Sequence, residues 1–158
     1  MSPLVLTLLL ATITAAADQG SLPPAASKSL DSAVSHAIDQ FNTAEERYRK
    51  DPRIETAGAP KDPVMMRATY RRTNGGYKIT SIGGSSSPEA TVRVRAIEVE
   101  KRVTNVNDGS DLRQAFARAP WRDTPRGWVL DFRFRWNGKD WEQVGDPSEF
   151  PTLGVAGE

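Results

Sequence analysis

Hydrophobic residues fall in three different spacings along this chain, and each spacing predicts a different element. The first is a continuous apolar run, "PLVLTLLLATITAAA", over residues 3–17, ending in small residues. It is short for a membrane-spanning helix, which needs roughly 20 apolar residues. Ala15 and Ala17 suit a cleavage between Ala17 and Asp18, although no Lys or Arg precedes the run. Residues 1–17 therefore read as a removable export signal, with a short membrane anchor as the competing reading. Residues 18–27, polar and Pro-rich, read as a flexible lead-in.

The second spacing is helical. Leu30, Ala33, Val34, Ala37, Ile38, Phe41 and Tyr48 recur at the 3.6-residue period and form one apolar stripe. Ser27 or Ser29 is the expected N-cap, and Pro52 is the expected stop. A one-stripe helix must bury that stripe on another element.

The third spacing is alternation. Val64, Met66, Ala68 and Tyr70 alternate with polar positions, and "TNGG" predicts a tight turn at Asn74-Gly75 into a return strand "YKITSI". "ATVRVRAIEVEKRVTN" is the longest strand candidate. Its apolar face changes between Ala96 and Ile97, which predicts a bulge near Ala96. "DLRQAFARAP" reads as a short helical turn ended by Pro120. In "RGWVLDFRFRWNGKDWEQVG", Trp128, Leu130, Phe132, Phe134 and Trp136 share one face. A two-residue turn at Asn137-Gly138 sets Trp136 opposite Lys139, Phe134 opposite Trp141, and Phe132 opposite Gln143. It also sets Arg135 opposite Asp140 and Arg133 opposite Glu142. The expected fold is α+β: one long N-terminal helix on a curved antiparallel sheet of four to five strands. The domain is expected over residues 28–146, with a C-terminal tail over 147–158.

Composition narrows the chemistry. The formal charge of +1 provides no field that argues for nucleic acid. With no cysteine and one histidine, thiolate chemistry is excluded and a metal or Ser-His centre has little material. His36 lies off the apolar stripe and reads as solvated decoration. No inward position carries an unpaired Asp, Glu or His, so no catalytic residue, metal or cofactor is expected. Arg93, Arg95, Arg133 and Arg135 form a basic stripe if their strands adjoin, partly neutralised by acidic neighbours.

The helix "SLDSAVSHAIDQFN" and the strand "PVMMRATYRRT" resemble the opening elements of cystatins and cathelicidin pro-domains. Helix first and curved sheet second also resembles the NTF2-like group, whose last strands are aromatic and end in returns like "DWEQVG". The cystatin resemblance implies three contact elements: Gly20, the first hairpin loop at Ile82, Gly83 and Gly84, and the pair Pro120-Trp121. Thr80 stands where the family's hairpin motif has glutamine. The apolar run at residues 3–17 implies a secreted or periplasmic protein, and the cystatin resemblance implies a binding role, of which inhibition of a papain-type protease is the sharpest version. The NTF2-like resemblance implies instead a pocket for a small apolar ligand, or a pocket enzyme, lined by Leu130, Phe132, Phe134, Trp136 and Trp141. A third class is a structural subunit of an envelope or extracellular assembly. The expected partner is a protein, meeting the loops around Ile82–Pro88 and Ala119–Gly127 on one edge.

Overall fold

A computed structural model describes residues 24–59, 62–84, 87–104 and 111–153. The expected signal at 1–17, the Gly20 segment and the loop residues 85–86 lie outside the described residues. Among the described residues, two helices and six strands follow in the order α1 (Pro24–Lys50), β1 (Glu55–Ala59), β2 (Asp62–Gly83), β3 (Glu89–Thr104), α2 (Leu112–Arg118), β4 (Arg122–Trp136), β5 (Trp141–Gln143) and β6 (Ser148–Leu153). The sheet is antiparallel, ordered β1-β2-β3-β4-β5, with β6 also paired to β4. None of the described helices is long and apolar enough to cross a membrane.

α1 starts earlier than its polar residues suggest. Ser29 is no cap: its hydroxyl donates to the Ala26 carbonyl one turn back, inside the helix. The extension is held by tertiary contact, because Ala26 is fully buried and its carbonyl accepts the Trp141 indole N–H at 2.7 Å. From there the predicted stripe packs on the sheet. Leu30, Val34, Ala37 and Ile38 meet Val92, Val94, Leu130, Phe132 and Phe134, and the Phe41 ring stands edge-on to Phe132 at 6.5 Å.

β2 is one strand, not a hairpin. Thr73 pairs with Ala96 and Tyr77 with Val94, so Asn74, Gly75 and Gly76 form a bulge opposite Arg95. Gly75 takes φ of +78° and the Asn74 side chain accepts the Gly76 amide, which is local turn chemistry without reversal. The strand continues because Tyr77 and Ile79 still have Val94 and Val92 of the long β3 to pair with.

β3 carries no break in its pairing with β2 between Ala96 and Thr104; the irregularity lies in β4, where Asp123 and Gly127 face Val99 and Ile97. The extra residues there include Pro125, which a regular central strand does not accommodate. The apolar positions of β3 change parity for a different reason. Ala90, Val92, Val94 and Ala96 lie under α1, whereas Val103 joins Met66, Ala68, Leu112, Phe116 and Trp121 under α2. On β2, Arg71 and Thr73 bond α1 side chains while Met66 and Ala68 meet α2, so the two helices sit on opposite faces.

The turn between β4 and β5 has four residues rather than two. Asn137 Oδ1 accepts the amides of Lys139 and Asp140, and Gly138 takes φ of +99°. The register therefore moves by two: Trp136 pairs with Trp141, Phe134 with Gln143, and Arg135 with Glu142. An even shift keeps the aromatics inward. The side-chain partner of Arg135 is Glu89 on β3, at 2.8 Å. Residues 148–153 are not a tail; β6 covers the outer edge of β4 from Arg126 to Asp131.

Candidate functional site

Leu130, Phe132, Phe134, Trp136 and Trp141 are brought together, but as core. All five are buried, and α1 fills the space above them with Leu30, Val34 and Ile38. The two loop elements are not brought together. Ile82 and Gly83 pair with Ala90 and Glu89, at one end of β3, while Arg122, next to Trp121, pairs with Glu100 at the other. At about 3.3 Å per strand residue, the separation is on the order of 30 Å. Gly84 turns with φ of +92° into the segment whose Pro88 carbonyl accepts the Trp136 amide at 2.8 Å. Trp121 folds back over the sheet, edge-on to Tyr70 at 5.1 Å, instead of projecting.

The arginine stripe is real in placement and partly neutralised. Arg93 makes a two-pronged bond to Asp131 at 2.7 and 2.8 Å, which holds that carboxyl below its usual range. Arg135 pairs with Glu89. His36 is solvated, with its ring nitrogen 2.9 Å from the Gln40 amide nitrogen.

Between α1 and the sheet lies a charged cluster without a counterpart in the sequence reading. Arg71 bonds Glu45 through its guanidinium at 2.7 and 3.1 Å, and its backbone amide donates to the same carboxylate at 2.6 Å. Its other side meets Glu149 of β6, which the curl of the sheet brings across β3 and β4. The guanidinium also lies 5.2 Å from the Phe41 ring and 5.3 Å from the Trp128 ring. Burial works against this charge, but the bonds from Glu45 and Glu149 outweigh it and keep the pKa above the ordinary arginine value. Asn42 caps the Thr73 amide in the same way that Glu45 caps that of Arg71. The cluster thus blunts part of the free edge of β2 and ties helix to sheet. A cleft of about 600 Å³ runs beside it, lined by residues that include Asp39, Glu46, Arg47 and Arg72.

A different opening lies on the far face, beside α2. It measures about 510 Å³ and is bounded by Pro52, Ile54, Pro63, Met66 and Phe116, with Lys101 and Arg113 among its lining. Each element contributes for a local reason. Asp111 caps α2 by accepting the Arg113 amide at 2.9 Å, and Leu112 and Phe116, one turn apart, anchor it on the sheet. Pro52 follows the helix end and directs the chain toward β1. Ile54 of this lining is 47% exposed, and Val64, next in sequence to Pro63 of the lining, is 49% exposed. Val64 lies between Pro63 and Met66 of the lining, where β2 bulges opposite Ala57 and Gly58 of β1. The sequence signal for this site was the parity change of β3 together with the Leu112/Phe116 spacing, which jointly require a second helix on the second face.

The molecule is thus an α+β domain whose helix-covered interior is filled and whose apolar opening is on the outside. No protein-family model matches the chain, and neither curated proteins nor solved structures yield a match.

Proposed function

We propose that this is an exported, non-catalytic binding protein that meets a protein partner through the apolar cleft beside α2. The observation that carries the reading is the coincidence of a 510 Å³ apolar cleft with exposed Ile54 and Val64 at the same end of the sheet. Exposed apolar surface continuous with a cleft is a common mark of a contact site. Trp121 supports this site from beneath, since it packs in the same cluster as Met66 and Phe116. Export rests on the apolar run at residues 3–17.

Cystatin-like protease inhibition is the narrower version, and the separation of Ile82–Gly84 from Pro120-Trp121 weighs against a joint wedge of that type. In cells that make the protein, a benzophenone side chain at Val64 is expected to crosslink a partner, while one at Ile79 is not. Equal yields at the two positions, or none at Val64, overturn the proposal. Papain assayed with micromolar protein tests the narrower version alone: full protease activity removes it and leaves the binding site standing.

A further inference from the structure

We infer that the cleft beside α2 is made for an acidic segment of the partner protein, with an apolar side chain seated on Met66 and Phe116 and a neighbouring Asp or Glu carboxylate held by Lys101 and Arg113. This rests on the reading above that the cleft is the contact site.

The charge pattern carries the argument. Among the described residues, the cleft lining contains two cations, Lys101 and Arg113, and no Asp or Glu. Elsewhere the protein pairs its buried or half-buried cations: Arg67 reaches Glu55, Glu98 and Glu100, and Arg71 reaches Glu45 and Glu149. Among the described residues, neither Lys101 nor Arg113 has a carboxylate within bridging distance. Lys101 is nonetheless fixed in place. Its ammonium donates to the Ala117 carbonyl at 3.0 Å and lies 5.1 Å from the centre of the Phe116 ring. One of its three protons is thereby used, which leaves donors for an incoming acceptor.

An occupant made only of apolar groups would strip water from this half-buried ammonium and offer nothing in exchange, which is costly for a charge. A carboxylate beside the apolar group removes that penalty and adds charge-assisted hydrogen bonds. A protein segment fits better than a lipid chain because the apolar surface spreads outward over Ile54 and Val64, rather than closing into a tunnel.

Two dyes with the same ring system separate the components. 1-Anilinonaphthalene-8-sulfonate carries an anion, and N-phenyl-1-naphthylamine does not. Both are expected to fluoresce on binding the full chain and to be lost in Ile54→Asp. The anionic dye should bind about tenfold tighter at low salt, the size of one charge-assisted hydrogen bond. That preference should fall in Arg113→Gln, an exposed helix position, and vanish when Lys101→Gln is added. Because Lys101 also braces α2, circular dichroism must show the double variant folded; Arg113→Gln alone decides if it is not. Equal affinity for the two dyes overturns the carboxylate inference while leaving the cleft as a binding site. Binding of neither dye, or binding untouched by Ile54→Asp, overturns the site itself. A dodecapeptide centred on Leu-Asp should displace the anionic dye at about one-tenth the concentration of its Leu-Asn counterpart. Displacement by dodecanoate but by neither peptide assigns the cleft to lipid and overturns the inference.

Discussion

Removing Glu45 tests whether α1 is locked to the sheet by charge or only by its apolar stripe. The Glu45 side chain is 6% exposed and accepts three bonds from Arg71, one of them from the backbone. Glu45→Leu deletes them all but leaves Arg71 with Glu149 and two aromatic rings. Breaking a buried pair from one side costs about 3–5 kcal/mol. The surviving partner and the partial exposure of Arg71 bring the expected loss to about 2 kcal/mol. Arg71→Met is harsher, about 3 kcal/mol, because the more deeply buried carboxylate keeps only its amide donor. The double variant leaves no orphan charge, so its loss should stay near 2 kcal/mol. The two sites are then coupled by about 3 kcal/mol. Urea unfolding followed by tryptophan fluorescence measures this. With a slope of about 1.5 kcal/mol/M, Arg71→Met lowers the midpoint by about 2 M. Losses below about 0.5 kcal/mol in both single variants, or losses that add in the double variant, refute the reasoning.

Three other outcomes follow from separate parts of the fold. Phe132→Ala, in a fully packed layer against Phe41, should cost about 3–5 kcal/mol by the same unfolding assay. The Tyr77 hydroxyl donates to Asp31, which with burial pushes its pKa up to about 12 from an ordinary value of 10.0. The raised folded pKa means this contribution is present below pH 10 and fades as pH climbs towards 12. Phenolate absorbance, taken as the difference from Tyr77→Phe, should show the late titration, and Asp31→Ala should bring it forward. Gly84→Ala should destabilise the loop into β3, because a methyl group there meets the Ser87 carbonyl oxygen at 2.5 Å and φ is +92°; a thermal midpoint equal to that of the parent would contradict the strain.

The helix stripe, the inward aromatics of β4 and the antiparallel architecture were legible because periodicity records which side is buried. Turn chemistry was less informative. Asn74-Gly75 and Asn137-Gly138 both carry the hairpin signature, yet one makes a bulge and the other part of a longer loop. The deciding factor was the length of β3, which continues to supply ladder partners past the turn. β6 was hidden because "SEFPTL" contains a proline and exposed positions, as edge strands often do. The candidate cleft was hidden for a related reason: its residues come from four separate stretches, from Pro52 to Ala117, and no local pattern joins them. Gly83-Gly84 and Pro120-Trp121 looked like neighbours only while β2 was read as a hairpin, which would have folded its far end back.

The exchange of apolar faces along β3 gives the domain two cores that share a strand but no helix. Opening the smaller one exposes only the few side chains around Met66 and Phe116, whereas opening the larger one exposes the whole aromatic layer. Amide hydrogens of α2 should therefore exchange through a local excursion that leaves α1 and the middle of β4 protected. The surface around the cleft would then be free to remodel while the rest of the described chain stays folded.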